Sequence, residues 1–466
     1  MACAMQRTMT SMLLREYVEQ ALYARGAGYF AAKKVVGGLR QPLQYKVLED
    51  EADYRRAVRS GWETGEFGSA WLTPSEMFTP FYGEAVARSI VERHKAMYGA
   101  TEPLQMLEVG GGNGTCASDV LRYLRREEPE LYSSCTYTLV EISASLAEAQ
   151  HARLVADLGV ADGERFEVIN ECAHKWATER AATAPLKGPW WFNLFEVLDN
   201  LGHDKMRVSD KPDGTSECLE VVIDPADGED DFVNDIADED GSSGGRRSPL
   251  SLVTWGQSFR PLQDADLAEA SALLRMQSAA ELQAIKDELA QTEDALPGSA
   301  TANSAQNFFG ALLGMDTDVG EVFVPTGCWR MLRALCNAAP DGHQFTIADY
   351  SYLPPDPDGA INHPVVQIQN KGRTIDLRGN YLIGTGEADI MFPTNFDHLA
   401  TMVSAASEAT RGSSSQSAAV HMQTADFMHR WHELDATATL DGFNPLTDDF
   451  KNTRFLLTGP KSVLHA

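Results

Sequence analysis

The amino-acid sequence predicts an α/β fold built around an open, nucleotide-binding sheet. Two observations favour this fold. The apolar segment 104–109 runs into a glycine-rich turn, and apolar residues at helical spacing follow, which gives the order strand, tight turn, helix. Further β-rich segments at 136–140, 166–170 and 190–195 alternate with helix-forming segments, as in a sheet of mostly parallel strands.

The chain before this region is predicted to be largely helical, and residues 1–100 are taken as an N-terminal helical segment. The first 15 residues contain two arginines and no acidic residue before Glu16. That composition is typical of an organellar presequence. An ordinary N-terminus that enters a helix at 13–22 explains it equally well.

The predicted sheet is interrupted after its fourth strand. A hairpin is expected from the segments 206–209 and 217–223, because the residues between them include the turn-forming sequence Pro-Asp-Gly. The segment 224–247 is acidic and then rich in Gly and Ser, with too few apolar residues to form a core, so it is predicted to be a flexible surface loop. Residues 262–292 read as a long helix-forming stretch.

Further along the chain, alternating helix-forming and β-rich segments again indicate the main sheet. A helix is predicted at 327–338, and the segment 345–349 is predicted to be the fifth strand of the main sheet. The sheet domain would then consist of 101–205 and 327–466, with 206–326 as an inserted α+β subdomain. Two further segments of low apolar content are predicted to be flexible, namely 297–306 and 411–418.

Composition excludes several classes of protein. The net charge of −28 argues against a nucleic-acid-binding surface, which needs clustered Lys and Arg. No apolar run reaches about 18 residues, so no membrane span is predicted. The seven cysteines form no C-x-x-C pair, so neither a disulfide framework nor a metal site is predicted, and a reducing compartment is favoured.

The glycine-rich turn suggests the ligand. The spacing is E-x-G-x-G-x-G, from Glu108 through Gly110, Gly112 and Gly114. Glycine allows a sharp turn and a close approach of a ligand to the backbone. A carboxylate before the first glycine suits a cationic ligand better than a pyrophosphate, so S-adenosylmethionine, which carries an ammonium and a sulfonium, fits. A turn that needs glycine for its geometry alone is the alternative, since Thr115 breaks the dinucleotide pattern at its last position.

A second acidic residue follows the next predicted strand. Glu141 ends the β-rich run 136–140, and an acid at the tip of the second strand of a doubly wound sheet can accept hydrogen bonds from both ribose hydroxyls of a nucleoside. A solvated acid at a strand end is the alternative.

Two carboxylates follow the fourth predicted strand. Glu196 and Asp199 lie three residues apart, where a methyl acceptor would meet the cofactor, because ligands bind at the carboxyl ends of strands in open α/β sheets. A carboxylate pair can hold a guanidinium group, and one carboxylate, or the nearby His203, can accept the proton that methylation releases. The alternatives are an acid pair favoured by a helix N-terminus, and a surface histidine.

These motifs together resemble the MidA-like methyltransferases. The resemblance covers about 10–224 and 317–460, and two departures are Phe195 in place of the family's Asn and Gly202 in place of its Pro. The matching motifs are Gly28-Tyr29-Phe30, Thr73-Pro74-Ser75-Glu76, Phe81-Tyr82-Gly83-Glu84, Glu108 to Thr115, Val140-Glu141-Ile142-Ser143, Phe195 to Gly202, Ala348-Asp349-Tyr350-Ser351 and Ala388-Asp389-Ile390 with Asn395-Phe396.

The resemblance implies a Rossmann-like class I methyltransferase sheet and S-adenosylmethionine as cofactor. It implies cofactor contacts from the glycine turn, Glu108, Glu141 and Thr73, with Glu196 and Asp199 as catalytic residues. It also implies symmetric dimethylation of an arginine in a protein partner, a subunit of mitochondrial complex I, and a location in the mitochondrial matrix; without a presequence the location would be the cytoplasm.

Two other functions stay open at the level of sequence. The chain could bind the cofactor and act as an assembly chaperone with little or no catalysis, because Phe195 replaces an amide at the active edge of the sheet. It could also methylate a small molecule. Glu196 and Asp199 favour a cationic acceptor.

Overall fold

The structure is a computed structural model, and the described residues form two compact units. The larger unit contains residues 19–201, 328–354 and 365–466, and the smaller unit contains residues 1–18, 202–327 and 355–364. The described residues are 11–32, 35–39, 41–65, 67, 71–159, 163, 165–213, 215–225, 255–293, 320–353, 360–370, 373–377, 379–411 and 417–464.

The described strands confirm a chain of mixed α/β class. In chain order they are β1 Met12–Leu13, β2 Gln105–Val109, β3 Thr136–Glu141, β4 Phe166–Asn170, β5 Trp190–Phe195, β6 Asp204–Asp210, β7 Ser216–Pro225, β8 Trp255–Pro261, β9 Glu321–Val324, β10 His343–Tyr350, β11 Val365–Asn370, β12 Arg373–Asp376, β13 Asp389–Met391, β14 Ser417–Gln423 and β15 Thr453–Pro460.

Some of the described helices precede β2, and others lie between successive strands. In chain order they are Leu14–Tyr23, Tyr29–Ala32, Glu51–Glu63, Pro74–Met77, Phe81–Tyr98, Thr115–Glu127, Pro129–Ser134, Ala144–Leu158, Ala173–Thr183, Ala265–Leu273, Ala279–Glu293, Thr326–Ala338, Phe396–Arg411, Thr424–Trp431, Pro445–Asp448 and Lys461–Leu464, with short 3₁₀ turns at Tyr45–Val47, Leu198–Asn200 and Leu434–Thr437.

The larger unit is organised by a sheet whose strand order is β14-β15-β10-β5-β2-β3-β4. The strands β10, β5, β2, β3 and β4 run parallel, and β15 is antiparallel to both of its neighbours. The order reverses beside β2, so the carboxyl ends of β2 and β5 meet at the switch point where open α/β sheets bind ligands. The five predicted strands of the main sheet are confirmed, including the fifth at β10.

Burial explains why these segments form the centre of the sheet. Strands that carry helices on both faces read as continuous apolar runs, and the first five residues of β5, from Trp190 to Leu194, are all buried. The core between the sheet and its helices includes Phe427 and Phe455, whose rings stack with centroids 3.7 Å apart. Rigid packing of this kind fixes the positions of the strand ends.

A small antiparallel sheet of order β12-β11-β13 also belongs to the larger unit. Its strand β13 leads into Phe392, whose backbone N–H donates to the carbonyl of Asp199 (2.7 Å). The sheet therefore contributes directly to the turn that follows β5.

The smaller unit contains an antiparallel sheet of order β1-β7-β6-β9, in which β8 also pairs with β7. The predicted hairpin is confirmed as β6 and β7, and Lys211 N–H donates to the Thr215 carbonyl (2.7 Å) at its turn. Arg15, which follows β1, is buried and pairs with Asp204 (2.6 Å) and Asp264 (2.7 Å). Two charge-assisted contacts thus fix the N-terminal strand within this sheet.

The helix-forming stretch 262–292 is two helices rather than one. Asp264 caps the first by accepting from Leu267 N–H (2.8 Å), and Arg275 has a positive φ of 56°, which interrupts the helical path before the second helix begins at Ala279. The loop predicted at 224–247 falls outside the described residues except for its first two, which end β7. The segment 297–306 also lies outside them, as do residues 412–416, whereas 417 and 418 begin β14.

Among the described helices, none combines the length and the apolar character that a membrane crossing requires. The segment whose composition allows either a presequence or an ordinary N-terminus lies mostly within residues 1–10, outside the described residues.

Candidate functional site

The glycine turn joins β2 to the helix Thr115–Glu127 in the larger unit. Gly110, Gly112 and Gly114 have φ values of 66°, 54° and 79°, which lie in the left-handed region that disfavours other residues. A Cβ at Gly114 would lie 3.1 Å from Cα of Gln150. Both conformation and space therefore require glycine here.

The two acidic residues predicted beside this turn are both buried, and the protein satisfies both. Tyr137 Oη donates to Glu108 (2.6 Å), while Ser143 N–H (2.8 Å) and Gln150 Nε2 (3.0 Å) donate to Glu141. Burial raises the pKa of each carboxyl group to about 7, against the effect of these hydrogen bonds. Each side chain is thus held in one orientation at the end of its strand.

Gln150 links the turn to the second strand, and it was not identified from the sequence. Its amide nitrogen donates both to the carbonyl of Gly112 (2.9 Å) and to Glu141 (3.0 Å). It lies on the helix Ala144–Leu158 with no motif around it, so only the three-dimensional packing identifies it.

The predicted cofactor residue Thr73 occupies the N-cap position of the short helix Pro74–Met77 without a capping hydrogen bond from its side chain, and its hydroxyl contacts that of Ser75 (3.0 Å). The residue of this element that contacts the glycine turn is Glu76. Its buried carboxylate accepts from Asn113 Nδ2 (3.3 Å) and from the hydroxyl of Thr115. The matching motif around Thr73 therefore reaches the turn through Glu76, to which the sequence pattern assigned no role.

The turn after β5 carries the predicted catalytic pair, and it lies against the glycine turn. A Cβ at Gly110 would be 3.2 Å from the Val197 side chain. Glu196 has a φ of 52°, one of the few positive values among the described non-glycine residues. Asp199 is 2% exposed and is held in a 3₁₀ turn.

The carboxylates of this pair differ from Glu108 and Glu141 because they have few partners. Within the described residues, Oδ1 of Asp199 is buried with no hydrogen-bond donor, and no side chain donates to the carboxylate of Glu196. Buried carboxylates without donors are unfavourable in the ionised form. The arrangement is therefore suited to a ligand that supplies positive charge and N–H donors.

Two further acids form a cluster of four with Glu196 and Asp199, and the sequence pattern assigned them no role. Asp349 is the penultimate residue of β10 and Asp389 is the first residue of β13. Asp349 accepts from Leu198 N–H (2.8 Å), and Asp389 accepts from Asn200 Nδ2 (2.7 Å). Both occur in motifs shared with the MidA-like family, which was the available signal.

Burial raises the pKa of all four acids. It raises the pKa of Glu196 to about 8, with a smaller contribution from the charge of Asp349. It raises the pKa values of Asp349 and Asp389 to about 7, and the pKa of Asp199 rises well above its usual range through burial and then the charges of Asp349 and Asp389. Clustered acids with raised pKa values are typical of functional sites.

Aromatic side chains surround the cluster. Tyr23 Oη donates to the carbonyl of Asn200 (3.2 Å). The Phe195 ring meets the Tyr82 ring edge to face, with centroids 6.1 Å apart. Rings and carboxylates together form an environment that favours a cation. His203, predicted as an alternative proton acceptor, is buried in the smaller unit.

The part of the chain that the structure describes contains no group of three or more His, Cys, Asp or Glu arranged to hold a metal ion. The residues present do fit S-adenosylmethionine. At Gly112 the only described atoms within 4 Å of a Cβ would be side-chain atoms of Val36, at 3.7 and 4.0 Å, so the backbone has room there for a close approach. Glu141 lies at the tip of the second strand, and Asn193 Oδ1 is a buried acceptor with no donor among the described residues.

Comparison with known proteins gives the same assignment. Residues 85–414 match the model of the Methyltransf_28 family, described as "Putative S-adenosyl-L-methionine-dependent methyltransferase". A Drosophila melanogaster protein, "Protein arginine methyltransferase NDUFAF7 homolog, mitochondrial", is 29% identical over 129 residues. That stretch spans 25% of this chain and 29% of the fly protein, well under two thirds of its length.

Solved structures share the fold. A Burkholderia thailandensis protein described as a "likely methyl transferase" and bound to S-adenosyl-homocysteine has a TM-score of 0.53 and 14% identity, covering 96% of this chain and 88% of its own. A native structure of a Burkholderia thailandensis protein of the same superfamily has a TM-score of 0.52, also at 14% identity, covering 96% and 87%. The predicted fold class is confirmed.

Proposed function

The chain belongs to the MidA-like family of S-adenosylmethionine-dependent methyltransferases, and we propose that it methylates an arginine side chain of a protein. The predicted cofactor is confirmed by family membership. The observation that carries the choice of acceptor is the acidic turn after β5, in which Glu196 and Asp199 have few donors of their own and lie against the glycine turn.

An arginine acceptor matches the charge and the geometry of this turn. A guanidinium group has a pKa above about 12 and presents a planar set of N–H donors, which carboxylates accept in pairs. Binding it would supply the donors that Asp199 Oδ1 lacks within the described residues. A neutral acceptor would supply no positive charge to compensate a buried carboxylate, which costs free energy.

In this proposal the cofactor binds at the same sheet edge, beside the carboxyl ends of β2 and β3. The backbone of 110–114 would face the methionine part, with Glu108 beneath the turn, and Glu141 would accept from the ribose hydroxyls. Thr73 is proposed to contact the cofactor from the motif that reaches the turn through Glu76. When bound, S-adenosylmethionine supplies a methyl group activated by its sulfonium.

Glu196 and Asp199 have separate tasks in this proposal. The buried Asp199 fixes the guanidinium so that one nitrogen faces the methyl group, because methyl transfer depends on alignment. Glu196, half-buried and with a pKa raised by burial, accepts the proton that leaves the nitrogen. A base with a pKa near the working pH both takes up and releases that proton readily.

The fly protein supports the finer assignment, since its name gives it as a mitochondrial protein arginine methyltransferase. The MidA-like resemblance extends the proposal to symmetric dimethylation, to a subunit of respiratory complex I and to the mitochondrial matrix. These assignments are proposals for this chain.

Labelled cofactor tests the proposal even while the substrate protein is unidentified. The protein is incubated with methyl-labelled S-adenosylmethionine and a mitochondrial extract, and the protein fraction is hydrolysed to amino acids. Label in symmetric dimethylarginine is the expected result. Label confined to small molecules, or calorimetric binding of cofactor without any transfer, would contradict arginine methylation and would support the small-molecule or chaperone function respectively.

A further inference from the structure

We infer that Asp349 is the positioning residue of this reaction, because its carboxylate holds the turn that presents Glu196 and Asp199. The inference rests on the proposed function. It concerns a residue that contacts the turn and not the reacting atoms. Asp349 lies 151 positions from Leu198 in the chain, so folding alone brings the two together.

The carboxylate of Asp349 accepts from backbone donors of the turn after β5 and of its own strand. Its Oδ2 accepts from Leu198 N–H (2.8 Å) and from Asp199 N–H (3.3 Å), and its Oδ1 accepts from the N–H of Tyr350 (2.7 Å). The side chain is 1% exposed. Only a group with two acceptor oxygens and no donor satisfies all three N–H groups at once.

The turn needs such an anchor because its backbone is strained. Glu196 has a φ of 52°, and a non-glycine residue there costs roughly 1–2 kcal/mol. Strained conformations at functional sites persist where the surroundings determine them. Here β10 provides the restraint twice, through Asp349 and through the Ala348 carbonyl, which accepts from Glu196 N–H (2.8 Å).

The strand β13 holds the other end of the turn. Phe392 N–H donates to the carbonyl of Asp199 (2.7 Å), and Asn200 Nδ2 donates to Asp389 (2.7 Å) and to the carbonyl of Ile390 (3.1 Å). The backbone at both ends of the turn is therefore fixed, while the carboxylates of the catalytic pair are left for the acceptor.

The charge of Asp349 also acts on the catalytic pair. The titratable groups that face the pair are Asp349 and Tyr350 on β10, Asp389 on β13, Tyr82 on the helix Phe81–Tyr98 and Tyr23 on the helix Leu14–Tyr23. Burial, and then the negative charge of Asp349, raises the pKa of Glu196 to about 8. If that charge is removed, Glu196 ionises at lower pH.

Asp349→Asn tests the inference by steady-state kinetics from about pH 6 to pH 9, with the peptide around the arginine labelled in the extract as methyl acceptor. The variant replaces one acceptor oxygen with an amide donor that faces backbone N–H groups. We expect kcat to fall at least ~10-fold through misplacement of the pair, an unchanged affinity for S-adenosylmethionine, and an acid limb of the kcat profile that moves to lower pH. A merely structural role would not move that limb.

Asp119→Asn is the matched control. Asp119 is a buried aspartate whose pKa burial also raises to about 7, and it accepts from the Thr79 hydroxyl (2.7 Å) without contacting the turn after β5. We expect its pH profile to match that of the unsubstituted protein. If the unsubstituted protein is active and Asp349→Asn has the same kcat and the same acid limb, the inference is overturned. If the unsubstituted protein transfers no methyl group, the proposed function is overturned instead.

If Asp349→Asn does not fold, the unsubstituted protein gives the test. In an NMR pH titration, the amide protons of Leu198 and Asp199 should shift together with the Tyr350 amide, because one carboxyl group accepts from all three. Independent titration of the Leu198 and Tyr350 amides would contradict the assignment.

Discussion

The two sides of the site use the same residue types in opposite ways. On the cofactor side, Glu108 and Glu141 receive hydrogen bonds from Tyr137, Ser143 and Gln150. On the acceptor side, no side chain among the described residues donates to Glu196 or to Oδ1 of Asp199. Under the proposed function, the cofactor side is organised in advance by the protein, and we expect a cationic ligand to complete the acceptor side.

The largest expected effect comes from breaking the preorganised side at the glycine turn. Gly114→Val places a β-branched side chain at a φ of 79° and brings its Cβ to 3.1 Å from Cα of Gln150, so we expect the affinity for S-adenosylmethionine to fall at least ~100-fold, as measured by calorimetry. Gly65→Val is the matched control. Its φ is 72°, and a Cβ there would meet none of the described atoms within 4 Å.

The control variant should lose about 1–2 kcal/mol of unfolding free energy, because it places a side chain in the left-handed region. Gly114→Val should lose more, because its Cβ also crowds Gln150. Only Gly114→Val should lose the cofactor. Equal cofactor affinity in the two variants would show that the turn does not bind it.

The next effect concerns the acceptor side. Asp199→Asn removes the buried carboxylate without changing its size, so we expect methyl transfer to fall at least ~100-fold while the calorimetric affinity for S-adenosylmethionine stays within about threefold. Asp119→Asn again serves as the control, with normal transfer. Full activity of Asp199→Asn would remove Asp199 from the mechanism.

A smaller effect sharpens the picture of the cofactor side. Gln150→Leu deletes the hydrogen bonds to the Gly112 carbonyl and to Glu141, and we expect cofactor affinity to fall about 10-fold. Gln283→Leu, which loses only a hydrogen bond to Asp287, should leave it unchanged. If the two variants bind the cofactor equally, the hydrogen bonds by which Gln150 links the glycine turn to β3 do not contribute to cofactor affinity.

The smallest effect is the pH dependence of stability without ligands. Folding raises the pKa of Glu108 from 4.5 to about 7 and that of Glu196 from 4.5 to about 8, so the native state holds more protons than the unfolded state between these values. The stability these groups contribute is complete below the unfolded pKa and is lost as the pH rises through the native pKa.

The free energy of unfolding, measured by denaturant titration, should therefore fall as the pH rises from about 5 to about 8. Glu196→Gln should make this dependence shallower, and Glu179→Gln, at an exposed helix position, should leave it as it is. An identical slope in Glu196→Gln and the unsubstituted protein would contradict the raised pKa of Glu196.

The sequence predicted the centre of the sheet well because its strands are continuous apolar runs between glycine and proline signals. The boundaries of β4 and β5 match those predicted, and β10 was recognised across the insertion. The strand β14 was missed because SAAVHMQ, half-buried throughout, has weak apolar character and follows a Ser-rich segment. Whether 206–326 folds as a subdomain stays a prediction.

The candidate site was predictable only where acids follow recognised strands. Glu108, Glu141, Glu196 and Asp199 were identified by position relative to β2, β3 and β5. Asp349 and Asp389 were not assigned roles, because their contacts with the 196–200 turn join residues at least 150 positions apart. Spacing along the chain carries no information about such contacts.

The most direct test of the central claim compares acceptors that differ in charge. The peptide around the labelled arginine is synthesised with arginine or with its neutral isostere citrulline, and the affinity of each peptide for the protein loaded with S-adenosyl-homocysteine is measured by calorimetry. A site completed by a cation predicts that the citrulline peptide binds at least ~100-fold more weakly than the arginine peptide. Equal affinity of the two peptides would contradict it.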